Sequence, residues 1–103
     1  MLSFLKKVFG GSSLNYGELI DNGAVIIDVR TVQEYRSGHV SGSVNIPLDT
    51  LKGSIKKIKK DTPIIVCCAS GMRSGAAKSV LLGSGFKEVY NAGSWTKLRK
   101  YVG

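Results

Sequence analysis

The residues most able to do covalent chemistry lie in "IIVCCASGMRSGAAKSVLLGSGF", residues 64–86, where an apolar run stops at two adjacent cysteines and a small-residue turn leads into a helical pattern. A cysteine attacks as its thiolate, so the question is what would hold a negative charge on Cys68. Residues 63–68 read as a buried strand with Cys68 as its last residue. Ala76, Ala77, Val80 and Leu81 recur at helical spacing, so a helix is expected to begin near Arg73 or Ser74. The first amides of a helix have no intrahelical acceptor, and with the turn amides they can converge on an anion. The expected site is Cys68 as nucleophile, with Ala69, Ser70, Gly71 and Met72 as its amide cradle and Arg73 and Ser74 at the helix start. Gly71 lets the backbone fold close to the sulfur. Cys67 should face the other side of the strand and act as a small core residue.

Such a cysteine works only if sheet and helices place it. "AVIIDV" and "PIIVCC" are continuous apolar runs suited to strands buried on both faces, and "SVNI" and "EVYNA" are shorter candidates. Helical patterns are expected over residues 14–22, 31–37, 48–59, 74–82 and 94–101, separated by Gly, Asn and Asp turn signals. Strands alternating with helices predict an α/β fold, a small, mostly parallel sheet flanked by helices on both faces. In such sheets ligands bind beyond the carboxyl ends of the strands, where Cys68 is expected to emerge.

A chain of 103 residues with 43% hydrophobic content supports one domain, expected over 14–103 and preceded by a short amphipathic segment at 1–13. In that segment Phe4, Leu5, Val8 and Phe9 share a helical face, expected to pack on the domain or a partner. Lys6 and Lys7 interrupt it, so no secretory h-region is expected. No apolar run approaches the roughly 20 residues that span a bilayer, which excludes integral insertion by a helix. Neighbouring cysteines do not form a secreted disulfide scaffold, so a cytoplasmic location is expected. The net charge of +8 is densest in "LKGSIKKIKKD", which reads as an amphipathic surface helix with Leu51, Ile55 and Ile58 inward and lysines outward. Without zinc-ligand spacing or an aromatic RNA-binding motif, the lysines are read as a solvated face or an attraction for anionic partners, not for nucleic acid. One histidine and two adjacent cysteines offer no metal-ligand set.

The loop "CASGMRS" resembles the active-site loop of the rhodanese (sulfurtransferase) family, Cys-x-x-Gly-x-Arg-Ser. The resemblance extends to "VIIDVRTVQEYRSGHVSGSVNIPLD" and "GFKEVYNAGSW", and so covers about residue 14 to the C-terminus. It implies the rhodanese-like fold and a double displacement without a cofactor. Cys68 would take sulfane sulfur from a small anionic donor such as thiosulfate, or from a persulfide, and pass it to cyanide or a thiol. Loop amides would hold the outer sulfur, with Arg73 and Ser74 closing the loop and Arg73 facing an anionic donor or the loop's own carbonyls. Four residues separate Cys68 from Arg73, whereas related phosphatases and arsenate reductases resemble Cys-x5-Arg; the smaller ring suits one sulfur atom. Ala69 stands where some relatives carry a basic residue, a change expected to weaken thiosulfate affinity. A single domain of this size implies an open site that a protein-borne persulfide could reach. Asp28 and Arg30 end the first strand and are expected to support the loop, and His39 is placed in a structural turn. The alternative reading is a sulfur-relay or interaction module whose lysine face docks an acidic partner.

Overall fold

The computed structural model describes residues 15–102, so the segment expected at 1–13 lies outside the described residues. In chain order the elements are α1 (Tyr16–Asp21), β1 (Val25–Asp28), α2 (Val32–Ser37), β2 (Val44–Asn45), a 3-10 turn (Leu48–Thr50) and α3 (Leu51–Ser54). They continue with β3 (Ile64–Cys68), α4 (Met72–Gly83), β4 (Val89–Ser94) and a 3-10 helix (Trp95–Tyr101). The strands stand in the order β2-β1-β3-β4, and each described pairing is parallel. This is the α/β architecture that the strand–helix alternation predicts, with Cys68 at the carboxyl end of a central strand.

β3 lies between β1 and β4 and is buried along its length, which is why its sequence is a continuous apolar run. Its side chains alternate between two cores. Ile64, Val66 and Cys68 join Ile27, Leu51, Ile55, Ala77, Leu81 and Phe86 on the face covered by α3 and α4. Ile65 and Cys67 join Ile26, Val40 and Leu98 on the face covered by α1 and the C-terminal 3-10 helix. Cys67 thus occupies the core as expected, and burial pushes its thiol up to about 12, with Asp28 adding to the rise.

The register of β3 with β4 slips between Val66 and Cys67. Val66 faces Asn91, but Cys67 faces Gly93 and Cys68 faces Ser94. One extra residue in β4 bends the strand at Gly93, whose φ of +81° is open to glycine and strained for other residues. The bend brings the end of β4 and the start of the following 3-10 helix beside the carboxyl end of β3.

The helix expected over 48–59 is much shorter. A 3-10 turn and one turn of α3 end at Ser54, and residues 56–60 run through successive turns. Leu51 and Ile55 are still buried and Ile58 packs against the same core, so the apolar spacing reports inward faces correctly. Gly53 and Ser54 are poor helix formers, and anchoring Ile55 and Ile58 from turns satisfies the core without a continuous helix. Gly53 lies within α3 without a left-handed φ, and a methyl group added there would meet nothing within 4 Å. Gly53→Ala is therefore expected to raise stability by about 0.5–1 kcal/mol, read as a higher urea midpoint at unchanged m-value.

Candidate active site

β3 ends at Cys68 and α4 starts at Met72, so residues 69–71 must reverse the chain in a single turn. Gly71 does this at φ +112°, a left-handed conformation costly to any side chain, and its amide then points back at the sulfur. Cys68 Sγ accepts hydrogen bonds from the Gly71 amide at 3.0 Å and the Ser74 amide at 3.3 Å. Its thiol donates to Ser74 Oγ at 3.3 Å. Burial alone would raise the Cys68 pKa, but the Ser74 hydroxyl and the amides of Ser74, Gly71 and Ser70 outweigh it and bring it below the ordinary thiol value. The arrangement stabilises a thiolate on Cys68 and disfavours one on Cys67. Cys68 does not emerge openly at the loop as the sequence suggests: it is 1% exposed, because the amides that stabilise its charge fold over it.

Ser74 is fully buried, and its hydroxyl donates to Asn91 Oδ1 at 2.6 Å and approaches the Gly71 carbonyl at 3.2 Å. A hydroxyl has one proton, so ionisation of Cys68 calls for that proton to turn from Asn91 to the sulfur. Asn91 Oδ1 keeps the Gly93 amide at 2.9 Å when this happens, and Asn91 Nδ2 holds the Gly71 carbonyl at 3.3 Å. Sequence reasoning missed Asn91. Its signal is a polar residue near the end of a strand that pairs with the nucleophile's strand.

The Arg73 guanidinium is bonded to Glu34 and not to the loop carbonyls. It makes a two-point bond to Glu34, at 2.7 Å and 3.0 Å, across the loop to the first turn of α2. Glu34 already closes the capping box of α2, with Oε1 accepting from the Thr31 amide at 3.0 Å. Hydrogen bonds from Arg73, then from Thr31, pull the Glu34 carboxyl down to about 2. Glu34 was also missed as a site residue, although Thr31-x-x-Glu34 is a visible capping pattern.

Asp28 and Arg30 form a buried pair, with Arg30 Nη2 at 2.8 Å from Asp28 Oδ2. Arg30 also donates to the Glu34 carbonyl at 3.3 Å and the Gly38 carbonyl at 2.7 Å, and lies over the Trp95 ring. The side-chain hydrogen bonds of the pair therefore reach towards the loop through Glu34 and none goes directly to residues 68–74. His39 stacks on Tyr35, and its Nδ1 lies 2.8 Å from the Tyr35 carbonyl. Ala69, Ser70 and Met72 form the outer surface of the loop, Met72 being 85% exposed.

A model of the rhodanese-like domain matches residues 15–100, nearly all of the described fold. The chain belongs to the rhodanese-like domain family. This rhodanese-like domain is 42% identical over 74 residues to the thiosulfate sulfurtransferase GlpE of Ectopseudomonas mendocina, covering 72% of this chain and 68% of that one. It is 34% identical over 89 residues to the "Putative sulfur carrier protein YrkF" of Bacillus subtilis, covering 86% of this chain and 43% of the other. Among solved structures it resembles a rhodanese with anions from E. coli, with a TM-score of 0.67 and 37% identity over 71% of this chain and 88% of that one. Among the described residues, no helix of the domain is long and apolar enough to cross a membrane.

Two outcomes follow from the geometry. Ser74→Ala removes the hydroxyl that can donate to the thiolate, so the pH midpoint for alkylation of Cys68 should move upward; an unmoved midpoint would contradict the role given to this hydroxyl. Because the Glu34 pKa is lowered in the fold, its contribution is present above the ordinary 4.5 and is lost as pH falls towards about 2. The pair is more than a third exposed, so Glu34→Gln should cost only about 0.5–1 kcal/mol at pH 7 by urea titration, and the difference from the parent should vanish in acid.

Proposed function

We propose that this chain is a cytoplasmic sulfurtransferase that carries sulfane sulfur as a persulfide on Cys68. The observation that supports it most is the pair of amides donating to Cys68 Sγ, one from Gly71 in the four-residue loop before Arg73 and one from Ser74 just after it. With thiosulfate as donor, the Cys68 thiolate attacks the outer sulfur, the donor's S–S bond breaks, and sulfite leaves with the electron pair. The product is a Cys68 persulfide anion. Cyanide or a thiolate then attacks the outer sulfur, and Cys68 leaves as the thiolate it was. No electrons are gained or lost overall, so the cycle needs no cofactor. Amides of Ser70, Gly71 and Ser74 suit the persulfide as they suit the thiolate, because the charge moves outward by one sulfur. The likeness to a thiosulfate sulfurtransferase and to a rhodanese with anions favours an anionic donor. Two free cysteines suit a reducing cytoplasm.

A second reading, sulfur relay to a protein thiol, is favoured by the YrkF relative. The lysine surface is a poor place to dock that acceptor. Lys52, Lys56 and Lys60 line a groove with Ser84 at the C-terminal end of α4, whereas Cys68 lies at its N-terminal end, about 18 Å away along a helix of this length.

The deciding measurement is intact mass after incubation with thiosulfate. Wild type and Cys67→Ser should each gain about one sulfur atom (~32 Da), removable by cyanide, and Cys68→Ser should gain none. Absence of any gain, with thiosulfate and with a persulfide donor, would overturn the proposal.

A further inference from the structure

The immediate surroundings of Cys68 hold fewer available cations than the net charge of +8 suggests. Arg73 is bound to Glu34 at two points, Arg30 is bound to Asp28 and covered by Trp95, and Ala69 beside the nucleophile is uncharged. The many lysines of residues 52–60 cluster towards the other end of α4. An anionic donor approaching the loop would meet a shielded guanidinium and a sulfur that is itself negative.

Lys97 is the exception. It lies in the 3-10 helix that follows β4, is exposed, and has no hydrogen bond or ion pair among the described residues. Its backbone is held firmly: Leu98 is fully buried beside it, and Ser94 caps the helix by accepting from the Thr96 amide. The bend in β4 sets Gly93 opposite Cys67 and Ser94 opposite Cys68. Gly93 Cα lies 3.5 Å from where a Cβ on Gly71 would stand, and Lys97 Nζ lies 3.6 Å from where a Cβ on Gly93 would stand. Gly71 in turn donates its amide to Cys68 Sγ. Two glycines without side chains thus separate an unpaired ammonium from the turn that holds the nucleophile.

We propose that Lys97 is the specificity-determining cation of this site, drawing anionic sulfur donors to the mouth of the Cys68 loop. The proposal rests on the reading that Cys68 transfers sulfur, but it makes a claim about local charge that can be measured without turnover. Lys97 does not touch the sulfur, so its effect falls on donor capture and leaves the chemical step unchanged.

The test alkylates Cys68 in the full chain with two reagents of similar size, anionic iodoacetate and neutral iodoacetamide, and compares their rates by mass of the Cys68 peptide. Lys97→Gln should lower the iodoacetate rate by about threefold at low salt and leave the iodoacetamide rate unchanged. Lys97→Arg should retain the wild-type ratio, as should Lys56→Gln, which makes the same charge change in the remote lysine cluster. The iodoacetate effect should shrink at high ionic strength. In thiosulfate turnover, Lys97→Gln should raise KM by about fivefold, with kcat within about twofold of wild type, since thiosulfate carries two charges. An unchanged reagent ratio in Lys97→Gln, or equal loss with both reagents, would overturn the proposal. If the ratio falls as expected but wild type forms no persulfide, the charge assignment stands and the sulfurtransferase reading fails.

Discussion

A thiolate at the carboxyl end of a central strand is buried where water cannot solvate it, and the rest of the site answers that constraint. Cys68 is 1% exposed, so protein dipoles must replace its hydration shell or the charge will not form. The donors that come close enough are backbone amides of a turn tight enough to fold over the sulfur. That turn requires Gly71 in a left-handed conformation, a helix that starts within four residues, and a buried hydroxyl on Ser74 that can turn its proton inward. Cys67 shows what happens without these donors. One residue away, deeper in the core and facing Asp28, it has its thiol pushed up to about 12.

The parts of this arrangement that the sequence states openly are those carried by periodicity and by punctuation. The run 64–68 is apolar without alternation because both faces of β3 are covered, and the glycine turn and helical spacing after Cys68 locate the loop to within two residues of the observed start of α4. The family resemblance is upheld by a matching domain model and by relatives across most of the chain. What stayed hidden depends on contacts between elements distant in sequence. Arg73 and Glu34 are 39 residues apart, and nothing local to Arg73 says that it turns towards α2. Asn91 meets Ser74 because the register of β4 on β3 sets it opposite Val66, just before the bend that Gly93 marks. Residues 48–59 mislead for a different reason: spacing at i, i+4 and i+7 marks which residues face the core, and turns can honour it as well as a helix can.

Charge in this molecule is divided by location. Guanidinium groups near the site serve as struts, each fixed by a carboxylate and Arg30 also by carbonyls and the Trp95 ring, and the lysines carry free positive charge on the outside. A buried Asp28–Arg30 pair with every guanidinium nitrogen bonded behaves as a rigid joint between β1 and α2, and breaking one member would leave the other charged and unpaired in the core.

Glu34 belongs to two structures at once. Its carboxylate closes the first turn of α2 through Thr31 and grips Arg73 at the start of α4. The loop over the sulfur and the beginning of α2 are therefore parts of one cooperative unit: fraying at α2 frees Arg73, and a loop that lifts away takes the lid off a helix cap. Any lifting of the loop over Cys68 strains that shared carboxylate, which makes a helix terminus in another part of the chain the latch of the loop.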